Sequence, residues 1–318
     1  MRYLLIDFGA SFVKTMVYDT SLREYPIFRE LQSVPSPFKN KDTIDKGSLV
    51  SFLENIVSKI SDIDGVVICT ILGGGWIDDV YHSWKSINAY PKKHCMISGL
   101  FTNEKTYHIH THHGGDVDAI IPLGKISNIV VYGSLGDTNC VIESLDLNNG
   151  EVAINIGTGS QVISRENQQF KVVSFLPAGR AFLCFDKFFQ QLGCDFFLEL
   201  NKITTKQVCS STLNIDLNVF PQSKNFMNGG YINNIMEENF TVTNLLGSIL
   251  RCFVLQYKPH LEPLSKKTIR LVGGIPLKLP ILNDLFKHYY PNFTIVTTKS
   301  PISNTHMGMI KLIKKHLL

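Results

Sequence analysis

The sequence predicts an α/β protein built from a duplicated mixed-sheet unit. Two observations carry this. Apolar strand-like runs alternate with stretches of helical periodicity. Both halves also open with the same series: strand, small-residue turn, strand, strand. A third observation places the division, because the polar segment LDLNNG (145–150) interrupts the pattern. It divides the chain into a first domain at 1–147 and a second at 148–318.

The elements follow in order. Residues 2–8 (RYLLIDF) and 12–19 (FVKTMVYD) read as a hairpin closed by Gly9, Ala10 and Ser11. A third strand is expected at 24–34. Residues 43–60 carry apolar side chains at helical spacing and predict an amphipathic helix. Residues 64–72 (DGVVICTIL) form a buried strand ended by glycines 73–75, and 74–128 is rich in turns and histidines without clear periodicity. The second half repeats the opening with a strand at 151–157, a turn at Thr158, Gly159 and Ser160, and strands at 161–166 and 170–176. Helices are expected near 181–200 and 240–261, then a strand at 268–274, a helix at 280–290, a strand at 293–298 and a terminal helix. Phe182, Phe185, Phe188, Phe189 and Phe196 fall near helical spacing and predict core. The final KLIKKHLL reads as a helix with a solvated basic face.

Composition narrows the class. A chain of 318 residues with 44% hydrophobic residues can bury a real core in one large or two ordinary domains. Its formal charge of +4 lacks the basic stripe that a nucleic-acid binder wants. Seven cysteines (Cys69, Cys95, Cys140, Cys184, Cys194, Cys209 and Cys252) are scattered without a CxxC pair, which suits a reducing, cytoplasmic setting. The opening MRYLLIDFGA does not read as a signal peptide, and no apolar run has the length of a membrane span.

The turns carry the chemistry. Asp7 ends a buried strand, Gly9 permits close backbone approach, Ser11 offers a hydroxyl and Lys14 follows on the next strand. Backbone N–H groups in such a turn can cradle an anion. A carboxylate beside a phosphate needs a cation between them, so Asp7 predicts a Mg²⁺ site. Gly157, Thr158, Gly159 and Ser160 make a second anion-ready turn in the equivalent place of the other half. No GxxxxGK[ST] loop and no strand–GxGxxG–helix unit occurs, so a bound nucleotide is held by hairpins. Gly273 and Gly274 in LVGGIP expose backbone against which a base or ribose can pack. Asp137 follows Gly136 at a turn or helix start, where a carboxylate commonly caps the helix. His108, His110, His112 and His113 in YHIHTHHGGD allow three readings: a zinc site, a polar loop lining a substrate site, or a plain surface loop.

These segments resemble the FGGY carbohydrate kinases, within the wider sugar kinase, heat-shock protein and actin group. IDFGASFVK is similar to that family's first phosphate motif, and GSLGDTNC to its G-x-GD segment. LNNGEVAINIGTGSQV is similar to its second phosphate motif, with GTGSQ closest to sedoheptulokinase-like members. LVGGIPLKLPILNDLF resembles the adenosine motif and HMGMIKLI the small-residue helix that follows it. The resemblance covers 1–20, 130–180 and 268–316, and leaves 21–129 unmatched.

It implies a two-lobed actin-like (ribonuclease H-like) ATPase fold and a kinase that moves the γ-phosphate of ATP to a sugar hydroxyl. Asp137 is then the catalytic base, which also meets the sugar. Asp7 holds Mg²⁺, and Gly9, Ser11, Lys14, Gly157, Thr158, Gly159 and Ser160 surround the phosphates. Gly273 and Gly274 lie near adenosine. The family's substrate region carries a Trp and a D-x-R element; here GGWIDDVYHSW offers Trp76, Asp78 and Asp79 without the Arg. The GTGSQ wording points to a ketose such as sedoheptulose. The partners implied are a small sugar and at most a second copy in a homodimer, with no nucleic acid and no membrane. A silent nucleotide or sugar sensor of the same fold is the alternative, and a zinc hydrolase built on the histidines is a further one.

Overall fold

The computed structural model describes residues 1–9, 12–21, 29–39, 41–70, 75–82, 96–101, 120–166, 169–219, 229–264, 268–298 and 302–318. The chain forms two compact units, one of Met1–Asp146 with Ile302–Leu318 and the other of Leu147–Pro301.

The first unit holds β1 (Arg2–Phe8), β2 (Phe12–Asp19), β3 (Arg29–Pro35), β4 (Thr43–Asp45), α1 (Lys46–Val57), β5 (Gly65–Thr70), β6 (Gly75–Ile77), β7 (Val80–His82), α2 (Met96–Phe101), β8 (Ile121–Ile126), β9 (Ile129–Gly136) and α3 (Asp137–Leu145). Its main sheet runs β3-β2-β1-β5-β9-β8. The β1–β2 and β2–β3 pairs are antiparallel, whereas β1–β5 and β5–β9 are parallel. Alternation along β1 sends its side chains to two cores. Leu4, Ile6 and Phe8 join Leu49 and Leu53 of α1 and Ile97 of α2. Tyr3 and Leu5 face the other way, into a cluster with Cys140 of α3 and Ile302, Met309, Ile310, Leu312 and Ile313 from the end of the chain.

The second unit holds β10 (Glu151–Ile156), β11 (Gly159–Glu166), β12 (Gln169–Pro177), α4 (Gly179–Gln191), α5 (Phe196–Lys202), α6 (Thr205–Ser210), β13 (Asn214–Asp216), β14 (Tyr231–Asn233), α7 (Val242–Leu255), α8 (Lys258–Leu261), β15 (Thr268–Val272), α9 (Gly274–Lys278), α10 (Ile281–Tyr289) and β16 (Thr294–Thr297). Its sheet runs β12-β11-β10-β15-β16, with β10–β11 and β11–β12 antiparallel and β10–β15 and β15–β16 parallel. The order and directions match those of β3-β2-β1-β5-β9. The expected duplication is therefore present in strand order, pairing direction and hairpin placement.

Three expectations need correction. The helix expected over 43–60 starts at Lys46. Residues 43–45 pair with β7 as β4, and Asp45 then caps α1 by accepting from the Ser48 N–H at 2.8 Å. Phe188 is 50% exposed, although Phe182, Phe189 and Phe196 are buried and Phe185 packs against them. The terminal helix α11 (Asn304–His316) belongs to the first unit, not to the second half of the chain. A glycine at 308 explains the close fit, since a Cβ there would collide with the Cys140 carbonyl of α3. Lys311 adds an ion pair to Asp146 and a bond to the Ser144 carbonyl.

Candidate active site

Parallel strands β1, β5 and β9 end together, at Phe8, Thr70 and Gly136. The carboxyl ends of parallel strands are where open α/β sheets bind ligands. Two carboxylates stand there. Asp7 lies on the face of β1 that carries Tyr3 and Leu5, paired with Lys14 of β2 and Cys69 of β5. Asp137 is the first residue of α3, immediately after β9. Its Oδ1 accepts from the Thr138 N–H at 2.7 Å and the Thr138 hydroxyl at 3.3 Å. An acidic residue is favourable in a helix's first turn. The cap is Gly136 rather than Asp137, and the bonds of Asp137 within the first turn are compatible with a site role.

The electrostatics tie these groups together. Burial raises the Asp7 carboxyl to about 6, Lys14 opposes the rise and the charge of Asp137 adds to it. The Cys69 thiol is pushed well up, first by burial and then by its bond to Cys140, with Asp7 and Asp137 contributing. A pair of neighbouring carboxylates partly offset by one ammonium is a donor set that a hard divalent cation suits. Asp7, with the Asp137 charge beside it, therefore fits the expected Mg²⁺.

The hairpin glycines act through space rather than as free donors. The Gly9 N–H bonds back to the Phe12 carbonyl at 3.1 Å, and a Cβ on Gly9 would stand 2.7 Å from that oxygen. In the second unit the Gly157 N–H bonds to the Gly159 carbonyl at 2.9 Å. The turn carbonyls of Gly157 and Thr158 accept from Gly179 and Arg180 at the start of α4, each at 2.9 Å. Thr158 itself is exposed. Ser160 is 1% exposed, and its hydroxyl accepts from the Tyr257 phenol at 2.7 Å. The expectation that this hydroxyl lines the phosphate turn is corrected: the turn is Gly157–Thr158, and β11 alternation already points Ser160 inward.

Gly273 has φ +99°, and a Cβ there would collide with the Ile156 carbonyl, so only glycine lets β15 end against β10. Gly274 starts α9 with open space around it. At the other end of α9, Lys278 lies over the Phe197 ring at 5.6 Å. Both line an open cleft of about 560 Å³ with Asp186, Gln190, Gly193, Cys194 and Asp195. Nothing in the sequence marked this cleft.

Trp76 and Asp78 belong to the β6–β7 hairpin. The Trp76 indole donates to the Met96 carbonyl at 3.2 Å and meets Tyr81 edge-on at 5.6 Å. Asp78 and Asp79 occupy the exposed turn, with φ of +43° and +53°, where Asp is tolerated in a tight hairpin. A fold role accounts for each of them. Ser11, His108, His110, His112 and His113 lie outside the described residues. No group of three or more metal-ligating side chains occurs among the described residues, and no described helix is long and apolar enough to cross a membrane.

No protein-family model and no curated protein matches the chain. Solved structures do. A ligand-bound xylulose kinase from Lactobacillus acidophilus superposes with a TM-score of 0.61 at 12% identity, over 98% of this chain and 89% of that one. A gluconate kinase from the same organism gives a TM-score of 0.63 at 11% identity, over 98% and 89%. The activator of 2-hydroxyisocaproyl-CoA dehydratase from Clostridium difficile with bound ADPNP gives 0.51 at 11% identity, over 99% and 95%. With the duplicated sheet order, these likenesses show that the chain has the actin-like (ribonuclease H-like) ATPase fold.

Proposed function

We propose that the protein is an ATP-dependent carbohydrate kinase of the FGGY type, transferring the γ-phosphate to a hydroxyl of a sugar or sugar derivative. The observation that carries this is Asp137, set at the strand–helix junction close enough to Asp7 for their charges to interact, with Lys14 across the ladder. The Asp137 carboxylate takes the proton of the substrate hydroxyl as its oxygen attacks the γ-phosphorus and ADP departs. Lys14 offsets the negative charge that gathers there. Asp7 would hold Mg²⁺, which neutralises phosphate charge when bound. In the second unit, Thr158 offers its hydroxyl to phosphate oxygens, and Gly273 and Gly274 offer bare backbone to the nucleoside. Phosphoryl transfer asks mainly for positioning and charge stabilisation, which this set supplies.

The sugar is to be found by ATP consumption against a panel of ketoses, aldoses and sugar acids, with sedoheptulose, xylulose and gluconate among them. Asp137→Asn is the decisive variant. It is expected to lower turnover about 10²- to 10⁴-fold, the usual worth of a general base, while MgATP affinity stays within about threefold. A wild type that binds MgATP but phosphorylates nothing on the panel would instead indicate a silent sensor.

A further inference from the structure

We propose that the second unit carries a self-association surface, and that its occupant is a second copy of this chain, paired across a two-fold axis at Ile232 of β14. None of the residues involved belongs to the proposed active site, so the surface stands apart from the kinase reading. Tyr231, Ile232, Ile235, Met236, Phe240 and Val242 fall within one short stretch and are each 37–59% exposed. The chain from Gly229 to Val242 holds no Lys, Arg or Pro, residues that commonly guard an open strand edge. Its only charges, Glu237 and Glu238, lie in the turn beyond β14.

The polar side chains of this stretch turn inward. Asn234 donates to the Thr212 carbonyl at 3.0 Å, and Asn239 to the Asn234 carbonyl at 2.8 Å. Asn239 Oδ1 accepts the Met236 N–H at 2.9 Å, and Asn244 of α7 donates to the Asn239 carbonyl at 2.7 Å. The amides thus hold the backbone while the apolar side chains face solvent, the reverse of an ordinary surface loop. Six large side chains about half open amount to roughly 500–600 Å² of apolar surface, the top of the range for a monomer. With the flanking Asn and Glu side chains the surface nears the about 800 Å² per partner of a stable complex.

Alternation in the hairpin fixes how this surface can be covered. Leu213 and Ile215 donate their N–H groups to Ser248 and Cys252 of α7, at 3.1 and 3.4 Å. The bonding groups of Ile215 therefore face away from β14, and those of its partner Ile232 face away from β13. The Ile232 N–H and C=O make no hydrogen bond among the described residues. Two antiparallel strands related by a two-fold axis at such a residue exchange both bonds, each N–H donating to the other carbonyl. A second copy of β14 offers this complement by symmetry alone. Glu237 and Glu238 come well after Ile232 in the chain and lie on opposite sides of the axis in the two copies, so the carboxylates do not meet at its centre.

Sedimentation velocity over about 1–100 µM protein tests this. The wild type should be dimeric by about 10 µM, within the range of a standard interface. Ile232→Pro removes the outward N–H at an edge position where proline is tolerated. Phe240→Lys sets a charge in the apolar surface outside the strand. Each should weaken association at least about tenfold. Phe188→Lys, at the exposed apolar position of α4, should leave it unchanged. The unfolding midpoint of the wild type should rise with protein concentration, and those of the two weakened variants should rise less. A wild type still monomeric at about 100 µM overturns the proposal. So does a dimer that Phe240→Lys leaves intact, or one that Phe188→Lys breaks. Should Ile232→Pro fail to fold, Phe240→Lys decides.

Discussion

The sheets of the two units share an order of strands but not a charge. Asp7 in β1 and Asn155 in β10 occupy equivalent places, each two residues before the hairpin glycine, Gly9 or Gly157. Across the hairpin Asp7 pairs with Lys14, whereas Asn155 pairs with Gln161 and donates to its Oε1 at 2.9 Å. The first unit therefore holds ionisable groups at the end of its parallel strands, and the second holds a satisfied amide pair. A neutral, self-bonded pair stabilises the sheet. A partly buried carboxylate does not, and it persists where a ligand or cation needs it. The difference separates a strand end that carries charge in the first unit from a neutral one in the second.

The largest effects should come from glycines that both units use to bring backbones together. Gly308→Val would drive α11 from α3 in the first unit, and Gly273→Ala would combine a collision at Ile156 with an unfavourable φ in the second. Each should cost about 3 kcal/mol or more, as overpacking and strained backbone together do. Denaturant unfolding measures this. If Gly308→Val is as stable as the wild type, α11 does not brace the first unit.

Exchanging the charge comes next. The folded Asp7 ionises near 6 rather than at its ordinary 3.8. Below both values the protonated group costs nothing. Its contribution to stability is lost as pH rises through about 6, because the unfolded chain ionises more readily. Asp7→Asn should therefore stabilise the metal-free protein by about 2 kcal/mol at pH 8 and by nothing near pH 4, while abolishing Mg²⁺-dependent activity. Asn155→Asp should act oppositely, lowering stability at pH 8 by about 1–3 kcal/mol, with recovery in acid. Thermal melts of both variants across pH 4–8 test this. Two variants that respond alike would erase the contrast between the units.

This contrast was legible in the sequence only in part. Apolar alternation and the small-residue turns marked β1, β2, β10, β11 and β12, because burial on a sheet imposes a period of two. The same patterning set Asp7 and Asp137 at the ends of apolar runs, while the roles expected of them came from the resemblance to a known family. What escaped depended on long-range contact. Gly308 reads as an ordinary residue in a terminal helix, and its meaning comes from Cys140, far away in the chain. Trp76 and Asp78 read as substrate groups, but a short hairpin packed beside α2 accounts for both. Ser160 looked like a turn hydroxyl because the boundary between turn and strand is not fixed by residue type.

Ser160 also gives the smallest and sharpest test. It pairs with Ile156 across the second hairpin as Val13 pairs with Phe8 across the first, and both Ser160 and Val13 are buried. The equivalent place is therefore a core position, filled in the second unit by a hydroxyl that Tyr257 bonds. Tyr257→Phe should cost about 1 kcal/mol, the net worth of a buried hydrogen bond. Ser160→Ala should cost about the same or somewhat more, since it leaves part of the phenol's bonding unmet. The double variant should lose less than the sum of the two, as partners in one bond do. Ser160→Ala should leave MgATP affinity unchanged, whereas Thr158→Ala, altering the exposed hydroxyl of the turn, should weaken it severalfold. If Ser160→Ala weakens nucleotide binding and leaves the unfolding midpoint alone, then Ser160 serves the phosphates after all, and the likeness of its place to that of Val13 carries no functional meaning.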